Sequence, residues 1–317
     1  MTGVSARVWF ALGIVYVVWG STYLAIRWNV ETMPPFLGAS IRFLVAGAML
    51  AAYLRIRRGR QPRTERRRLG TAALAGVLTL AGGNGLVVFA ETRVPSSLAA
   101  LLIAAVPLWL VVLRRIAGDR THPLTMVGVL VGLVGVATLL LPGSRGGHVD
   151  LPYCLLLLVA ALSWSAGSLL AVRRPVPQDP GRLSSVEMLA GGAVLLAVSG
   201  AKGEIGSFDP ATVSTRSWLA LGYLIVFGSL VAFSAYLWVF ANAPTSLVAT
   251  YAYVNPAVAV ALGALFAGER LTLLEGLGAL VILASVVVVV TAESRFRHGR
   301  PVSAAHPPGR TEAHTSR

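Results

Sequence analysis

Ten apolar runs constrain this chain more than any other feature of its sequence. They lie at about 8–27, 36–54, 69–90, 94–113, 123–141, 151–172, 183–200, 217–240, 245–267 and 272–291. A helix that crosses a bilayer needs roughly 20 apolar residues, and most of these runs reach that length. The run near 183–200 is the weakest, because it opens with Ser184, Ser185 and Glu187. Composition agrees with a membrane chain: 56% of the 317 residues are hydrophobic, 13% are charged, and mean hydropathy is +0.73. Soluble domains hold about 45–50% apolar and about 25% charged residues. An ordinary soluble enzyme, a secreted disulfide scaffold and a disordered chain are therefore excluded. The first run is too long for the apolar core of a signal peptide and is followed by further spans, so it is expected to remain in the protein. Cys154, the single cysteine, lies inside an apolar run and reads as a small core residue.

The net charge of +14 comes from 27 basic and 13 acidic residues. The charges sit between the apolar runs, which points to membrane topology and not to nucleic-acid binding. With a cytoplasmic N-terminus, twenty basic residues fall on the inner side, among them eight arginines in 55–68 and five after residue 294. Six fall outside, and Arg42 lies within a span. This imbalance places both termini in the cytoplasm. The cluster Arg63 to Arg68 is then a topology signal, with an anionic-lipid patch as the competing reading. The segment 295–317, with its Pro, Gly, Ser and His, reads as a disordered cytoplasmic tail.

The chain also repeats itself. Trp19-Gly-Ser-Thr-Tyr-Leu-Ala-Ile aligns with Trp164-Ser-Ala-Gly-Ser-Leu-Leu-Ala, and Ala46-Gly47-Ala48 with Gly191-Gly192-Ala193. Pro95-Ser-Ser-Leu-Ala-Ala aligns with Pro244-Thr-Ser-Leu-Val-Ala, Pro107 with Pro256, and Gly118-Asp119-Arg120 with Gly268-Glu269-Arg270. The expected units are 1–145 and 146–294, each with five spans. An odd number of spans per unit turns the second unit upside down in the membrane, an arrangement used by transporters whose two bundles rock about a midplane site. The expected fold is thus all-α integral membrane, with ten transmembrane helices as two inverted five-helix repeats.

These features together resemble the drug/metabolite transporter superfamily, and within it the tandem EamA-type branch. The resemblance rests on the duplicated five-helix unit, the opening WGSTYLAIRW…PPFLGASIRFLVAG, the P-[ST]-S-L-x-A…P pattern of spans four and nine, and the G-[DE]-R turn. It covers about residues 10–292. It implies a transporter in the bacterial cytoplasmic membrane that exports amino acids, other small metabolites or drugs. It also implies that spans one, three, four, six, eight and nine surround a central cavity.

Polar groups inside a span are costly unless they line a cavity or find partners. Trp19, Thr22 and Tyr23 share one face of the first span. Trp164 and Ser168 are four apart in the sixth, as are Tyr251 and Asn255 in the ninth. Ser229, Phe233, Tyr236 and Phe240 form a stripe in the eighth, and Asn84 lies deep in the third. Helix packing is the competing reading for each; as a set, these polar-aromatic faces suit a semi-polar organic substrate. Arg42, roughly 10 Å below the outer end of its span, is read as an anion anchor or gating ion pair. The alternatives are a structural salt bridge to Glu31 or Glu91, and snorkelling. Glu187, its repeat-mate, reads as an interfacial carboxylate. Glu91, at the outer mouth, is the acid best placed to take a coupling proton, against a default of simple exposure. Pro107 and Pro256 are read as paired hinges, or as static kinks. Gly128 and Gly132 form a small-residue face for close helix packing or for a homodimer.

The sequence holds no GxxxxGK[ST] loop, no metal-ligand constellation and no acidic pair within a span. No cofactor, metal or nucleic-acid partner is expected. The expected partners are a small-molecule substrate and the lipid bilayer, with a coupling proton and a second copy of the chain as further candidates. The resulting reading is a secondary transporter working by alternating access, with export implied by the resemblance alone. An importer or exchanger of the same substrates is the alternative. A membrane-embedded enzyme or a channel fits less well: the first wants clustered acids or histidines at one face, the second a polar pore stripe.

Overall fold

The computed structural model describes residues 5–59, 64–119, 121–140, 150–243, 245–248 and 250–298. They form helices joined by short turns, with no strand among the described residues. The ten helices are α1 (Ala6–Asn29), α2 (Pro35–Arg58), α3 (Arg66–Ala90), α4 (Ser96–Ile116), α5 (Pro123–Leu139), α6 (Leu151–Arg173), α7 (Pro180–Ala201), α8 (Thr215–Tyr236, continuing to Asn242), α9 (Tyr251–Phe266) and α10 (Leu273–His298). Eight are long and apolar enough to cross a membrane, while α5 and α9 are shorter apolar helices. The run at 183–200 belongs to a full helix, because Ser184 and Ser185 turn inward and are buried.

Several helix ends are set by residues suited to the position. Pro35, Pro123 and Pro180 stand in the first turns of α2, α5 and α7, where a missing N–H costs nothing. The Asp179 side chain accepts from Arg182 N to start α7, and Ser214 accepts from Ser217 N to start α8. Gly118 and Gly268 take φ of +90° and +64°, so the two G-[DE]-R turns share a left-handed glycine.

The helices pair with their repeat-mates. α2 packs on α7, where Gly47 faces Met188 and Leu189 and Gly192 faces Leu44. α5 packs on α10, where Gly128 faces Val289, Gly135 faces Ile282, and Gly132 faces Leu108 and Ser285. The Gly128/Gly132 face is thus covered within the chain, and the close approach expected of it serves α10. On its other side α5 presents Leu124, Val127, Leu130 and Val134, which suits lipid.

The contacts of one half recur in the other. α1 meets α9 at Gly20, where an added Cβ would strike Val258, and α6 meets α4, where Ser165 Oγ donates to Val106 O at 2.9 Å. α1 meets α8 through Trp19, and α6 meets α3 through Ser163. The connections 30–34, 91–95, 202–214 and 267–272 gather at one end of the bundle. There Thr32 Oγ1 donates to Ser217 Oγ, Glu204 accepts from Leu37 N, Arg27 reaches the Glu91 carbonyl and Glu269 reaches Ser96. The 117–119 turn lies at the opposite end with the C-terminus of α6, where Asp119 meets Arg173 at 2.7 Å.

Two features were not legible beforehand. Residues Val77–Asn84 of α3 and Leu224–Val231 of α8 are π-helical, at matching positions in the two halves. A π segment widens the helix and leaves carbonyls open to other donors. The span at 94–113 is broken: α4 is helical over 96–103, turns at Ala104–Ala105, and resumes at Val106 with Pro107 in its first turn. The ninth run likewise holds a separate short helix, Thr245–Val248, ahead of α9, and Pro256 stands inside α9. The two prolines therefore hold different local structures.

Candidate functional site

The π segments are where the central residues converge. Trp19 Nε1 donates to Gly228 O of the α8 π segment at 3.3 Å. In the other half, Ser163 Oγ donates to Leu78 O of the α3 π segment at 2.7 Å, and the Trp164 ring lies against Gly83. Matching tryptophans thus seat α1 and α6 on the widened parts of α8 and α3. With its N–H committed, Trp19 offers its ring: Tyr236 lies 5.2 Å away, Tyr251 lies 5.3 Å away edge-on, and those two rings are 5.8 Å apart. Three expected site residues from α1, α8 and α9 therefore form one aromatic cluster across the halves.

The other expected residues fall around it. Tyr23 lies one turn beyond Trp19, within electrostatic reach of both Tyr251 and Glu91. Thr22 turns its hydroxyl back to Trp19 O at 2.6 Å, and its methyl flanks Gly228. The Asn84 and Asn255 side-chain oxygens are buried without a hydrogen-bond partner, two open acceptors from α3 and α9. A buried polar atom left open is costly, so both are poised for a donor. Ser168 is half-buried on α6 beside the α3 π segment, as its neighbour Gly167 packs on Thr79. Sequence reasoning missed Trp109 of α4, whose buried Nε1 has no acceptor, and Gly228. The Phe240 side chain lies outside the described residues.

Arg42 is 6% exposed, so it does not snorkel. Neither expected salt bridge is present: Glu31 pairs with Arg216 at 3.6 Å, and Arg42 has no acidic partner among the described residues. Its Nε donates to Ser229 Oγ at 3.0 Å, its guanidinium stands 4.8 Å over the Phe43 ring, and its Nη1 is buried with no acceptor. Glu187 does not approach it. The Glu187 backbone packs against Gly76 of α3.

Glu91 corrects the expectation of an exposed carboxylate. It follows α3 in the turn 91–95, yet it is fully buried and neither oxygen has a hydrogen-bond partner. Arg27 Nη1 donates to the Glu91 main-chain carbonyl at 2.7 Å, so it leaves the carboxyl open. Burial, reinforced by Glu269 and opposed by Arg27, holds this carboxyl well above the usual carboxylate range.

Both ends of the aromatic cluster are closed. Towards the chain termini, Val8, Ala11 and Leu12 of α1 pack with Val239 and Val248, and the Tyr16 hydroxyl meets Thr250 Oγ1. Beyond that plug a recess of about 530 Å³ is lined by Ser5, Arg7, Trp238 and Asn242. At the opposite end, the Glu269 carboxylate accepts from Ser96 N, Ser96 Oγ and Ser97 N, each at 2.9 Å.

Comparison with known proteins identifies the scaffold. The model of the EamA-like transporter family matches residues 7–141 and again 151–291. The chain belongs to the EamA-like transporter family. It is 41% identical over 90% of its length to 91% of the "uncharacterized inner membrane transporter YedA" of Escherichia coli K12. It is 26% identical over 87% of its length to 92% of a "probable amino-acid metabolite efflux pump" of the same organism. A solved crystal structure with 21% identity superposes with a TM-score of 0.60, covering 92% of this chain and all of that one, which shows a shared fold. An EamA-family chain with these helices is a multi-pass membrane transporter and not an enzyme.

Proposed function

We propose that this EamA-family chain is a secondary transporter that exports small organic metabolites, amino acids or drugs across the bacterial cytoplasmic membrane by alternating access. The halves 1–145 and 146–294 rock about a cavity lined by Trp19, Thr22, Tyr23, Asn84, Trp164, Ser168, Tyr236, Tyr251 and Asn255. The observation that carries this reading is the aromatic cluster of Trp19, Tyr236 and Tyr251. It joins helices of both halves and is sealed at each end by a different closure.

The basic-residue imbalance puts the apolar plug on the cytoplasmic side and the Glu269 latch on the outer side, with both termini in the cytoplasm. Opening the plug admits cargo from the cytoplasm, and opening the latch releases it outside. Cargo must favour switching between states that lie within a few kcal/mol of each other. Pro107, next to the break in α4, and Pro256, within α9, serve as hinges. Export is favoured by the efflux pump among the relatives.

Cross-linking tests the alternation. Cysteines placed at Ser97 and Glu269 and joined by a short cleavable reagent hold the outer end shut. The native Cys154 is buried. Transport is expected to stop on cross-linking and to return on cleavage. Undiminished transport by the cross-linked protein would contradict the proposal, because an enzyme or channel working at another site is indifferent to this closure.

A further inference from the structure

The guanidinium of Arg42 is held in place but not neutralised. Ser229 Oγ accepts from Arg42 Nε at 3.0 Å and donates to Leu224 O at 3.0 Å, within the π segment of α8. The serine is thus fixed by the backbone and fixes the arginine in turn. Phe43 supports one face of the group. The opposite edge is different. Nη1 is buried and without an acceptor, and Nη2 lies close against Gly228. A Cβ built on Gly228 would lie 3.4 Å from Nη2 and 3.1 Å from the Thr22 methyl. Trp19 reaches that same residue through its hydrogen bond to the Gly228 carbonyl.

A buried cation is expensive to keep without a counter-charge. The acids that would serve are engaged or placed elsewhere: Glu31 with Arg216, Glu204 with the start of α2, and Glu269 with the start of α4. Glu91 makes no ion pair with Arg42, since both of its carboxyl oxygens are buried without a partner. The planar fork of arginine matches the two oxygens of a carboxylate.

We infer that Arg42, positioned by Ser229, offers its unpartnered Nη1 edge to a carboxylate of the transported molecule once the helices around it part, so that the cargo is a small organic acid or amino acid. This inference rests on the transport reading and names its substrate class. The rest of the cargo lies against the Trp19, Tyr236 and Tyr251 rings, which suit an apolar or aromatic body. Arg42 is then a cation that waits for its partner, and an empty site carries a charge that the loaded site does not.

The test compares acids with their uncharged counterparts. The full chain, in vesicles of phosphatidylethanolamine and phosphatidylglycerol, is assayed for counterflow with the L-amino acids and with the carboxamide of each. The wild type is expected to exchange at least one acid about tenfold or more better than its carboxamide, the scale of one hydrogen bond between charged groups. Arg42→Gln is expected to bring the acid down to the level of the carboxamide, and Arg42→Lys to keep part of the preference. If Arg42→Gln does not fold, Gly228→Ala and Ser229→Ala carry the test: one crowds Nη2 and the Thr22 methyl, and the other releases Nε. A merely structural arginine would lower acid and carboxamide together. Equal exchange of both by the wild type, an undiminished preference in the variants, or a cargo that has no acidic group would overturn this inference while leaving transport intact. Failure of the cross-linking experiment above would instead overturn the transport reading itself.

Discussion

Glu269 and Ser96 join the two halves of this protein: one carboxylate oxygen of Glu269 accepts both the backbone N–H and the hydroxyl of Ser96. The second oxygen takes Ser97 N. The acid comes from the turn between α9 and α10, and the donors from the first turn of α4. Gly263 makes room for it, since a Cβ there would strike the carboxylate. A negative charge at a helix N-terminus is favourable for the same reason that a capping side chain is.

This latch is expected to be measurable as a coupling. Hydrogen bonds to a charged group contribute about 1.5–3 kcal/mol each when buried, and less when water replaces them. Glu269→Ala is expected to cost about 2 kcal/mol and Ser96→Ala about 1 kcal/mol in thermal unfolding of the detergent-solubilised protein. A double-mutant cycle is expected to return about 1 kcal/mol of interaction. Strict additivity would mean that the two residues do not act together.

Asp119 is the equivalent acid of the first half, and its contribution depends on pH. Side-chain hydrogen bonds from Arg114 and Arg173 hold the Asp119 carboxyl below its ordinary value. A depressed folded-state value means that the unfolded chain binds the proton more readily. The stabilisation is therefore complete above the unfolded carboxylate value of about 3.9 and fades as pH falls through the folded one. Asp119→Asn is expected to be less stable than wild type at neutral pH and to converge with it in acid. A gap that stays constant with pH would show that the ion pairs to Arg114 and Arg173 do not contribute.

Glu91 has the opposite sign. Its carboxyl is raised by burial and by Glu269, with Arg27 opposing, and Tyr23 lies within electrostatic reach of it. Above the unfolded value of about 4.3, folding takes up a proton, so stability falls with rising pH until the folded value is passed. Glu91→Gln is expected to flatten that decline. If Glu91 carries a coupling proton, the variant also loses the pH dependence of transport while still exchanging cargo. Transport with an unchanged pH profile in Glu91→Gln would remove the proton from the mechanism.

The glycine seam between α5 and α10 gives a packing contrast. An added methyl at Gly132 meets Leu108 and the Ser285 hydroxyl, whereas one at Gly276 meets nothing within 4 Å. Gly132→Ala is expected to cost about 1–3 kcal/mol by overpacking. Gly276→Ala is expected to be neutral, or to stabilise by about 0.5–1 kcal/mol through helix propensity. Melting temperatures of the two variants check this, and equal values would contradict the packing.

The helices and their duplication were legible because both are written in one-dimensional patterns: apolar length, basic loops and the spaced matches from Trp19 to Arg270. The aromatic cluster was partly legible, since Trp19, Tyr236 and Tyr251 stand on polar-aromatic faces. What covers a residue was not. Glu91 looked exposed because it ends a span, yet it is fully buried and within electrostatic reach of Glu269, 178 residues further along the chain. Arg42 invited a salt bridge to Glu31, and the structure gives Glu31 to Arg216. The π segments leave no mark in an apolar sequence, because Val77–Asn84 and Leu224–Val231 read as ordinary helix. They nevertheless decide where Trp19 and Ser229 find their partners.

The most direct test of export through the central site is a comparison of metabolites inside and outside cells. One set expresses the wild type, and the other a Trp19→Ala/Asn84→Ala variant at equal membrane abundance. The account predicts a small set of compounds, acids among them, depleted inside and enriched outside with the wild type alone. The same compounds moving equally with both proteins would contradict a central site built on Trp19 and Asn84.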